Sequence, residues 1–369
     1  MSGVWISALK LSHFRSHKRL EMDLAPGPIA LFGPNGAGKT NILEAISFLS
    51  PGRGLRRAGV EDIARRPEAL GWSVRASLSG PHSTHEIDTR SENGASRTVR
   101  LDDKPVPQLA LGAVAPLVWL VPAMDRLWIE AAEGRRRFLD RLTMGYRPDH
   151  GSASVGYEKA MRERNRLLKD GVTDPAWYGA LERQMAEAGA IIHDNRRATL
   201  LRLGQALAED EGAFPRVGLT LVGPDGPEEN PIESSDFATA LADGRYRDIA
   251  AGRTLIGPHR ADLEAIYTTK GLAARDCSTG EQKALLLSLV LANARALRAD
   301  FGAAPLLLLD EVAAHLDADR RAALYDEITS LGAQAWMTGT GPELFDTLGD
   351  RTQRFLVTDT DGTSVLTPA

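Results

Sequence analysis

Hydrophobic positions along this chain change period several times, and each change marks a different kind of element. Near the N-terminus Ile6, Leu9 and Leu11 follow a strand-like alternation, and the solid apolar stretch Ile29-Ala30-Leu31-Phe32 runs directly into a glycine-rich loop. Beyond that loop Ile42, Leu43, Ile46 and Leu49 recur on one helical face, predicting a helix over Thr40–Leu49. From Trp72 to Pro122 the pattern is one of short strands and turns, with a turn signal at Asn93-Gly94. Between about residues 135 and 210 glycines become sparse, and Leu181, Met185, Ala188, Ile192, Thr199, Leu203 and Leu207 recur at roughly three- and four-residue steps.

A Gly-, Pro- and Glu-rich loop (Gly223 to Pro231) closes that stretch, and α/β character returns after about residue 250. There a long apolar helix, Ala284–Leu297, leads to the unbroken run Leu306–Leu309. Near the end Phe355-Leu356-Val357 and Val365-Leu366 flank Asp361-Gly362, predicting a closing hairpin. The whole predicts an α/β protein: a head built from residues 1–134 and 250–369, with a smaller, mainly helical lobe inserted over 135–249. Plain core helices of one large domain would give the same periodicity in the middle.

Composition narrows the class only a little. Hydrophobic residues at 43% and charged residues at 25% are ordinary for a globular protein. A formal net charge of -5 excludes a chain that is basic throughout, but it leaves room for a local stripe of arginines. Cys277 is the only cysteine, so neither an internal disulfide nor a zinc site of paired cysteines is expected. No apolar run approaches the ~18–20 residues of a membrane span, and no basic-then-apolar leader opens the chain. The expected setting is the cytoplasm, with no membrane partner.

Two segments carry phosphate chemistry. Gly33-Pro34-Asn35-Gly36-Ala37-Gly38-Lys39-Thr40 matches G-x-x-x-x-G-K-[ST] and lies between an apolar strand and a helix. Its glycines let successive N–H groups point at a phosphate chain, and the helix start adds its positive dipole end. In that geometry Lys39 reaches the β- and γ-phosphates of a nucleotide and the Thr40 hydroxyl ligates Mg²⁺. Leu306–Leu309 then ends in Asp310-Glu311, at the carboxyl end of what reads as a buried parallel strand, where ligands of such sheets bind. Asp310 is the candidate metal partner, and Glu311 the candidate to orient or deprotonate the attacking water. Taken alone, the pair is equally a solvated acidic loop.

A third segment, Cys277-Ser278-Thr279-Gly280-Glu281-Gln282-Lys283, opens the apolar helix. Ser278 with Glu281 three positions later is a capping box. The same capped N-terminus, with Ser278 and Gly280 exposed, suits a γ-phosphate. It resembles the LSGGQ-like signature of the ABC ATPases, although Glu281 departs from the common glutamine. That resemblance implies an ABC-type P-loop ATPase head and a dimer in which the signature of one copy completes the ATP site of the other.

The resemblance sharpens with Leu9-Lys10-Leu11-Ser12-His13-Phe14-Arg15-Ser16-His17 and Thr40-Asn41-Ile42-Leu43-Glu44-Ala45-Ile46, which are similar to the openings of RecF- and SMC-type ATPases. Arg135-Arg136-Arg137-Phe138-Leu139-Asp140 matches the R-R-x-F-L-D block of the RecF family. Arg164-Asn165-Arg166-Leu167-Leu168-Lys169 resembles its R-N-x-L-L-K helix, and Gly257-Pro258-His259-Arg260 its G-P-H-R block. These matches span nearly the whole chain. Departures occur at Ala123 and Met124, where acids are usual, at Ala261, which replaces an aspartate, and at His315, which replaces an acid. The resemblance implies ATP and Mg²⁺ as cofactors and adds Asn41, Gln282 and Asp317 to the nucleotide-contacting set. It also implies weak ATP hydrolysis that serves as a switch, and an ATP-dependent clamp on DNA at junctions of single strand and duplex. RecO and RecR are the implied partners in loading RecA during recombinational repair and the SOS response.

Basic clusters occur at Arg53, Arg56, Arg57, Arg65 and Arg66, at Arg135–Arg137, and at Arg162, Arg164, Arg166 and Lys169. The expected DNA contacts are Arg53, Arg56, Arg57, Arg135, Arg136, Arg162 and Arg166, although solvated faces and internal ion pairs use the same residues. A nucleotide-binding subunit of a transporter is the competing class, but Trp336-Met337-Thr338-Gly339-Thr340 has no histidine at the switch position and the signature lies far from the phosphate loop. A scaffold that binds ATP without turnover is the third reading, and Glu311 argues against it.

Overall fold

The structure, a computed structural model of the 369-residue chain, describes residues 3–80, 83–114, 116–209, 212–224, 226–228 and 230–369, without the side chain of His315. It divides into two compact units. One comprises Met1–Asp125, Asp210–Phe214 and Leu286–Ala369, the other Arg126–Glu209 and Pro215–Leu285.

Two sheets build the first unit. In one, strands Trp5–Phe14, His17–Asp23, Gly71–Ser79, Thr84–Glu92, Thr98–Leu101 and Lys104–Pro105 pair antiparallel throughout. The alternating burial of Gly71–Ser79 is what such a half-covered sheet requires. In the other, Leu117–Leu120, Leu306–Leu309, Ala335–Gly339, Ile29–Phe32 and Gln353–Thr360 lie parallel in that order, and Thr363–Pro368 folds back antiparallel on the last. Leu306–Leu309 and Ile29–Phe32 are buried along their whole length, which is why they read as unbroken apolar runs. One hydrophobic cluster joins Leu9, Leu11, Val74 and Ala76 of the antiparallel sheet to Ile42 and Ile46 of helix Lys39–Ser47 and to Ile29, Leu31, Leu308 and Trp336 of the parallel sheet. The closing hairpin forms as the sequence predicts, around Asp361 and Gly362, both at positive φ.

The second unit packs helices Ala132–Tyr146, Asp149–Lys169, Ala176–Ala208, Ser234–Asp243 and Arg245–Ala251. It also holds a four-stranded sheet in which Val217–Gly223 pairs with Asp262–Tyr267. That pairing is the reason residues 250–285 group with this unit rather than with the strands of the first. The three sequence blocks meet in its interior. Arg164 is 0% exposed, bonded to Glu182 (3.1 Å), Asp248 (2.6 Å), Thr254 (2.8 Å) and the Leu241 carbonyl (3.1 Å), which removes it from any surface stripe. Asn165 accepts from both the amide and the hydroxyl of Thr254. Asp140 takes a bidentate pair from Arg196, whose other nitrogen donates to the Pro258 carbonyl.

His259 closes this network. Its Nε2 faces the Thr254 carbonyl at 3.1 Å, so that nitrogen carries the proton and Nδ1 accepts from the Tyr157 hydroxyl at 2.7 Å. Gly257 is required beside it: at φ +120 its missing Cβ would fall 2.4 Å from the Tyr157 oxygen. Burial holds the His259 imidazole down at about 4, helped by Arg260, Arg136 and Arg196. The unfolded chain takes up this proton below pH ~6.5 while the native state refuses it until about 4, so the stabilisation is present above that range and fades as pH falls through it. Denaturant titration between pH 7.5 and 4.5 should therefore show a loss of about 2–3 kcal/mol that His259→Asn greatly reduces.

Candidate phosphate-binding site

Helix Lys39–Ser47 begins directly after the glycine loop and has no side chain capping its N-terminus. In its first turn the Asn41 amide donates to the Gly38 carbonyl at 3.1 Å, and a helix start leaves the amides ahead of it without an intrahelical acceptor. Gly33, Gly36 and Gly38 all take positive φ, at 144°, 83° and 103°. Space is open where a Cβ of Gly36 would stand, whereas Gly33 and Gly38 are crowded by protein. The loop therefore has an open mouth and a packed back. Its uncapped helix start and open glycine suit the oxygens of a phosphate chain.

Lys39 is 5% exposed and folds back along the loop, donating to the Gly33 carbonyl at 2.6 Å and the Pro34 carbonyl at 2.8 Å. An ammonium has three donors, so one remains for a ligand. Burial lowers its pKa, against the pull of Glu311 and Asp310. Thr40 donates to Asp310 Oδ1 at 2.9 Å, which brings together the two residues expected to share a metal ion. Thr338, at the end of the neighbouring strand, donates to the same Oδ1 at 2.7 Å and accepts the Glu311 amide at 2.8 Å. Glu311 itself sits at φ +54, a conformation that a non-glycine residue holds only when its surroundings impose it. Thr338 drew attention in the sequence only as a missing histidine; nothing local marked its hydroxyl.

The signature helix, Thr279–Phe301, starts with the capping box that its sequence predicts. Both the amide and the hydroxyl of Ser278 bond to Glu281 Oε2, at 2.8 and 2.7 Å, while the Glu281 amide faces Ser278 Oγ at 3.4 Å. Hydrogen bonds from Lys270 and Ser278 hold the Glu281 carboxyl down at about 2. Glu281 thus departs from the family glutamine yet serves as the box's acid. Ser278 and Gly280 are exposed, and nothing stands within 4 Å of a Cβ on Gly280. Gln282 turns the other way: it is 4% exposed and donates to the Cys277 carbonyl at 2.9 Å. Asp317 is exposed and caps helix Ala318–Leu331 by accepting the Arg320 amide at 2.8 Å. The His315 departure lies outside the described side chains.

The candidate arginines separate into two groups. Arg53, Arg57, Arg162 and Arg166 are exposed. Arg56 is exposed as well, but it reaches back to Asn41 Oδ1 at 2.7 Å and Glu44 Oε2 at 3.1 Å, so it braces the phosphate-loop helix. Asn41 also donates to Ser16 at 2.7 Å. Arg135 is committed to Asp262 through two bonds of 2.7 Å and to the Glu130 carbonyl at 2.6 Å, and Arg136 donates to the Ala261 carbonyl at 2.8 Å. Asp262, one position beyond the Ala261 departure, is thus the acid that the R-R-x-F-L-D block meets here.

The family model described as RecF/RecN/SMC N terminal domain matches residues 5–357. The DNA replication and repair protein RecF of Mesorhizobium japonicum is 48% identical over 374 residues, covering 96% of this chain and 96% of its own. The protein of the same name from Rhizobium etli is 47% identical over 366 residues, covering 96% and 98%. A solved structure of the recombination mediator protein RecF-ATPrS in the RecFOR pathway superposes with a TM-score of 0.85 at 21% identity, covering 99% of this chain and 98% of that one. An Smc head domain with an extended coiled coil, bound to the C-terminal domain of ScpA and derived from Pyrococcus furiosus, gives 0.57 at 18% identity, covering 99% and 96%. The two structural likenesses concern the fold.

The two arginine groups should respond differently to truncation. Arg135→Ala leaves Asp262 without its partner and is expected to cost about 2–4 kcal/mol in denaturant unfolding. Arg53→Ala should stay within about 0.5 kcal/mol of wild type in the same measurement.

Proposed function

Because the chain belongs to the RecF family, proteins of DNA replication and repair, we propose that it is an ATP-driven switch that closes as a dimer on DNA and releases it on hydrolysis. The observation that carries this reading is the hydrogen-bonded group of Thr40, Asp310, Thr338 and Glu311 at the open mouth of the glycine loop. In it a hydroxyl and a carboxylate suited to a divalent cation adjoin a second carboxylate suited to a proton. The described residues contain no cluster of three or more His, Cys, Asp or Glu that would hold a metal unaided. Thr40 and Asp310 would hold Mg²⁺ only together with oxygens of the nucleotide.

In this reading Lys39 and the loop N–H groups neutralise the β- and γ-phosphates of ATP. Thr40 and Asp310 would hold Mg²⁺, which would supply further charge stabilisation. Glu311 takes the proton of the attacking water. Thr338 is a positioning residue: its single proton goes to Asp310, which leaves its oxygen to accept the Glu311 amide and fix where that carboxylate starts. Ser278 and Gly280 of a second copy complete the site around the γ-phosphate, with Asp317 beside them. Gln282 is left out of that set by its inward turn.

DNA contacts fall to the exposed arginines, Arg53 and Arg57 in one unit and Arg162 and Arg166 in the other. The ligand chemistry is backbone phosphate, and the substrate is a gapped duplex at which RecO and RecR would act with this chain. No helix among the described residues is long and apolar enough to cross a membrane.

Light scattering with and without ATP, combined with binding to gapped DNA, tests the switch. Wild type should dimerise with ATP, Lys39→Met should stay monomeric, and Glu311→Gln should keep the dimer for longer while losing at least about 100-fold in kcat. A monomer under every condition, with DNA affinity indifferent to ATP, would sink the proposal. For Thr338→Val we expect kcat to fall by about ten-fold with little change in ATP affinity, and Thr338→Ser to restore it. Equal turnover in all three forms would remove Thr338 from the machinery.

A further inference from the structure

The back of the glycine loop rests on the closing hairpin, far away in sequence. A Cβ on Gly33 would fall 2.0 Å from the Val357 carbonyl oxygen, and one on Gly38 would fall 2.2 Å from Ser364 Oγ and 2.7 Å from Ser16 Oγ. These two glycines are therefore required by the surfaces behind the loop as well as by its positive φ angles. Ser364, 3% exposed, is the centre of that contact. Its Oγ lies 2.6 Å from the Ala37 carbonyl and 2.6 Å from Ser16 Oγ.

A hydroxyl has one proton, and a carbonyl can only accept. The Ser364 proton therefore goes to Ala37, and Ser16 donates to Ser364. Ser16 in turn accepts from the Asn41 amide nitrogen at 2.7 Å, and Asn41 Oδ1 accepts from Arg56 at 2.7 Å, which fixes the orientation of the amide. The donors thus run in one direction, from Arg56 through Asn41, Ser16 and Ser364 to a carbonyl inside the phosphate loop. Arg65, 8% exposed, straps the same layers together through the Ser16 carbonyl (2.7 Å), the Gly362 carbonyl (3.0 Å) and Thr363 Oγ1 (2.8 Å). The Ser364 amide also donates to the Ser16 carbonyl at 3.0 Å.

We infer that Ser364, with Ser16, is a positioning residue for nucleotide binding: the closing hairpin holds the Ala37 carbonyl away from the mouth of the loop, so that the adjoining N–H groups face the phosphates. This rests on the reading of Gly33–Thr40 as the nucleotide site. Neither serine touches the nucleotide in this scheme, so the effect falls on affinity and not on the chemical step.

The test uses the full chain as wild type, Ser364→Ala, Ser16→Ala, the double variant and Lys39→Ala, with titration of a fluorescent ATP analogue, steady-state ATPase kinetics and the melting temperature without nucleotide. Ser364→Ala should weaken the analogue by about ten-fold, as expected for one lost buried hydrogen bond, with kcat at saturating ATP within about two-fold of wild type. Ser16→Ala should act in the same direction and carries the test if Ser364→Ala does not fold. The double variant should bind no more weakly than Ser364→Ala alone, because both cut one chain of donors. A lowered melting temperature with unchanged affinity would make the serines merely structural and overturn the inference, as would fully additive effects. Lys39→Ala binding as tightly as wild type would instead remove the nucleotide site itself.

Discussion

The Asp310 carboxylate sits where three segments of the chain meet. One of its oxygens accepts from Thr40, at the start of the phosphate-loop helix, and from Thr338, at the end of a neighbouring strand. Its amide donates to the Leu120 carbonyl on the strand at its other side. Two hydroxyl donors on one oxygen restrict the rotation of the carboxyl group. The buried run Leu306–Leu309 explains why the acid is there: the strand is held from both sides, so its last residue has little freedom. The left-handed turn at Glu311 follows from the same anchoring, because the chain has to leave the sheet while giving its amide to Thr338.

Arginine is used throughout this protein as an internal connector. Arg97 is buried with no carboxylate partner among the described residues; it bonds to Thr89 Oγ1 and to carbonyls of Phe48, Ser50 and Gly52, which shapes the turn that leaves the phosphate-loop helix. Burial depresses its pKa to about 10, still far above neutrality. Arg15 grips the wholly buried Glu44 with two nitrogens, and Arg164 ties its own helix to three others of the second unit. A planar fork that can serve several carbonyls at once suits these positions better than an ammonium would. A tally of basic residues therefore overstates the charge available to an outside polyanion.

Much of the site was legible because its chemistry is contiguous. The glycine loop, the acidic strand end and the capping box each lie within eight residues or fewer, and the periodicity around them shows the strand or helix that they need. The packed centre of the second unit was legible only as family blocks; that Arg135 meets Asp262 and that Tyr157 meets His259 depends on pairings across more than a hundred positions. The sheet of Val217–Gly223 with Asp262–Tyr267 escaped for the same reason, since neither strand announces its partner. Thr338 and Ser364 are ordinary hydroxyl residues at strand positions, and their roles come from what the fold sets opposite them.

The contact between Ser364 and Ala37 spans 327 positions. During synthesis the glycine loop leaves the ribosome long before the hairpin that backs it, at a rate of ~5–20 residues per second. For all that interval the loop is present as sequence but lacks the surface that fixes its carbonyl. On the inference that Ser364 positions the loop, the capacity to bind a nucleotide would be acquired late in biosynthesis, together with the last strands of the sheet. A chain cut short before residue 364 retains every residue of the glycine loop but lacks the hydroxyl that donates to the Ala37 carbonyl.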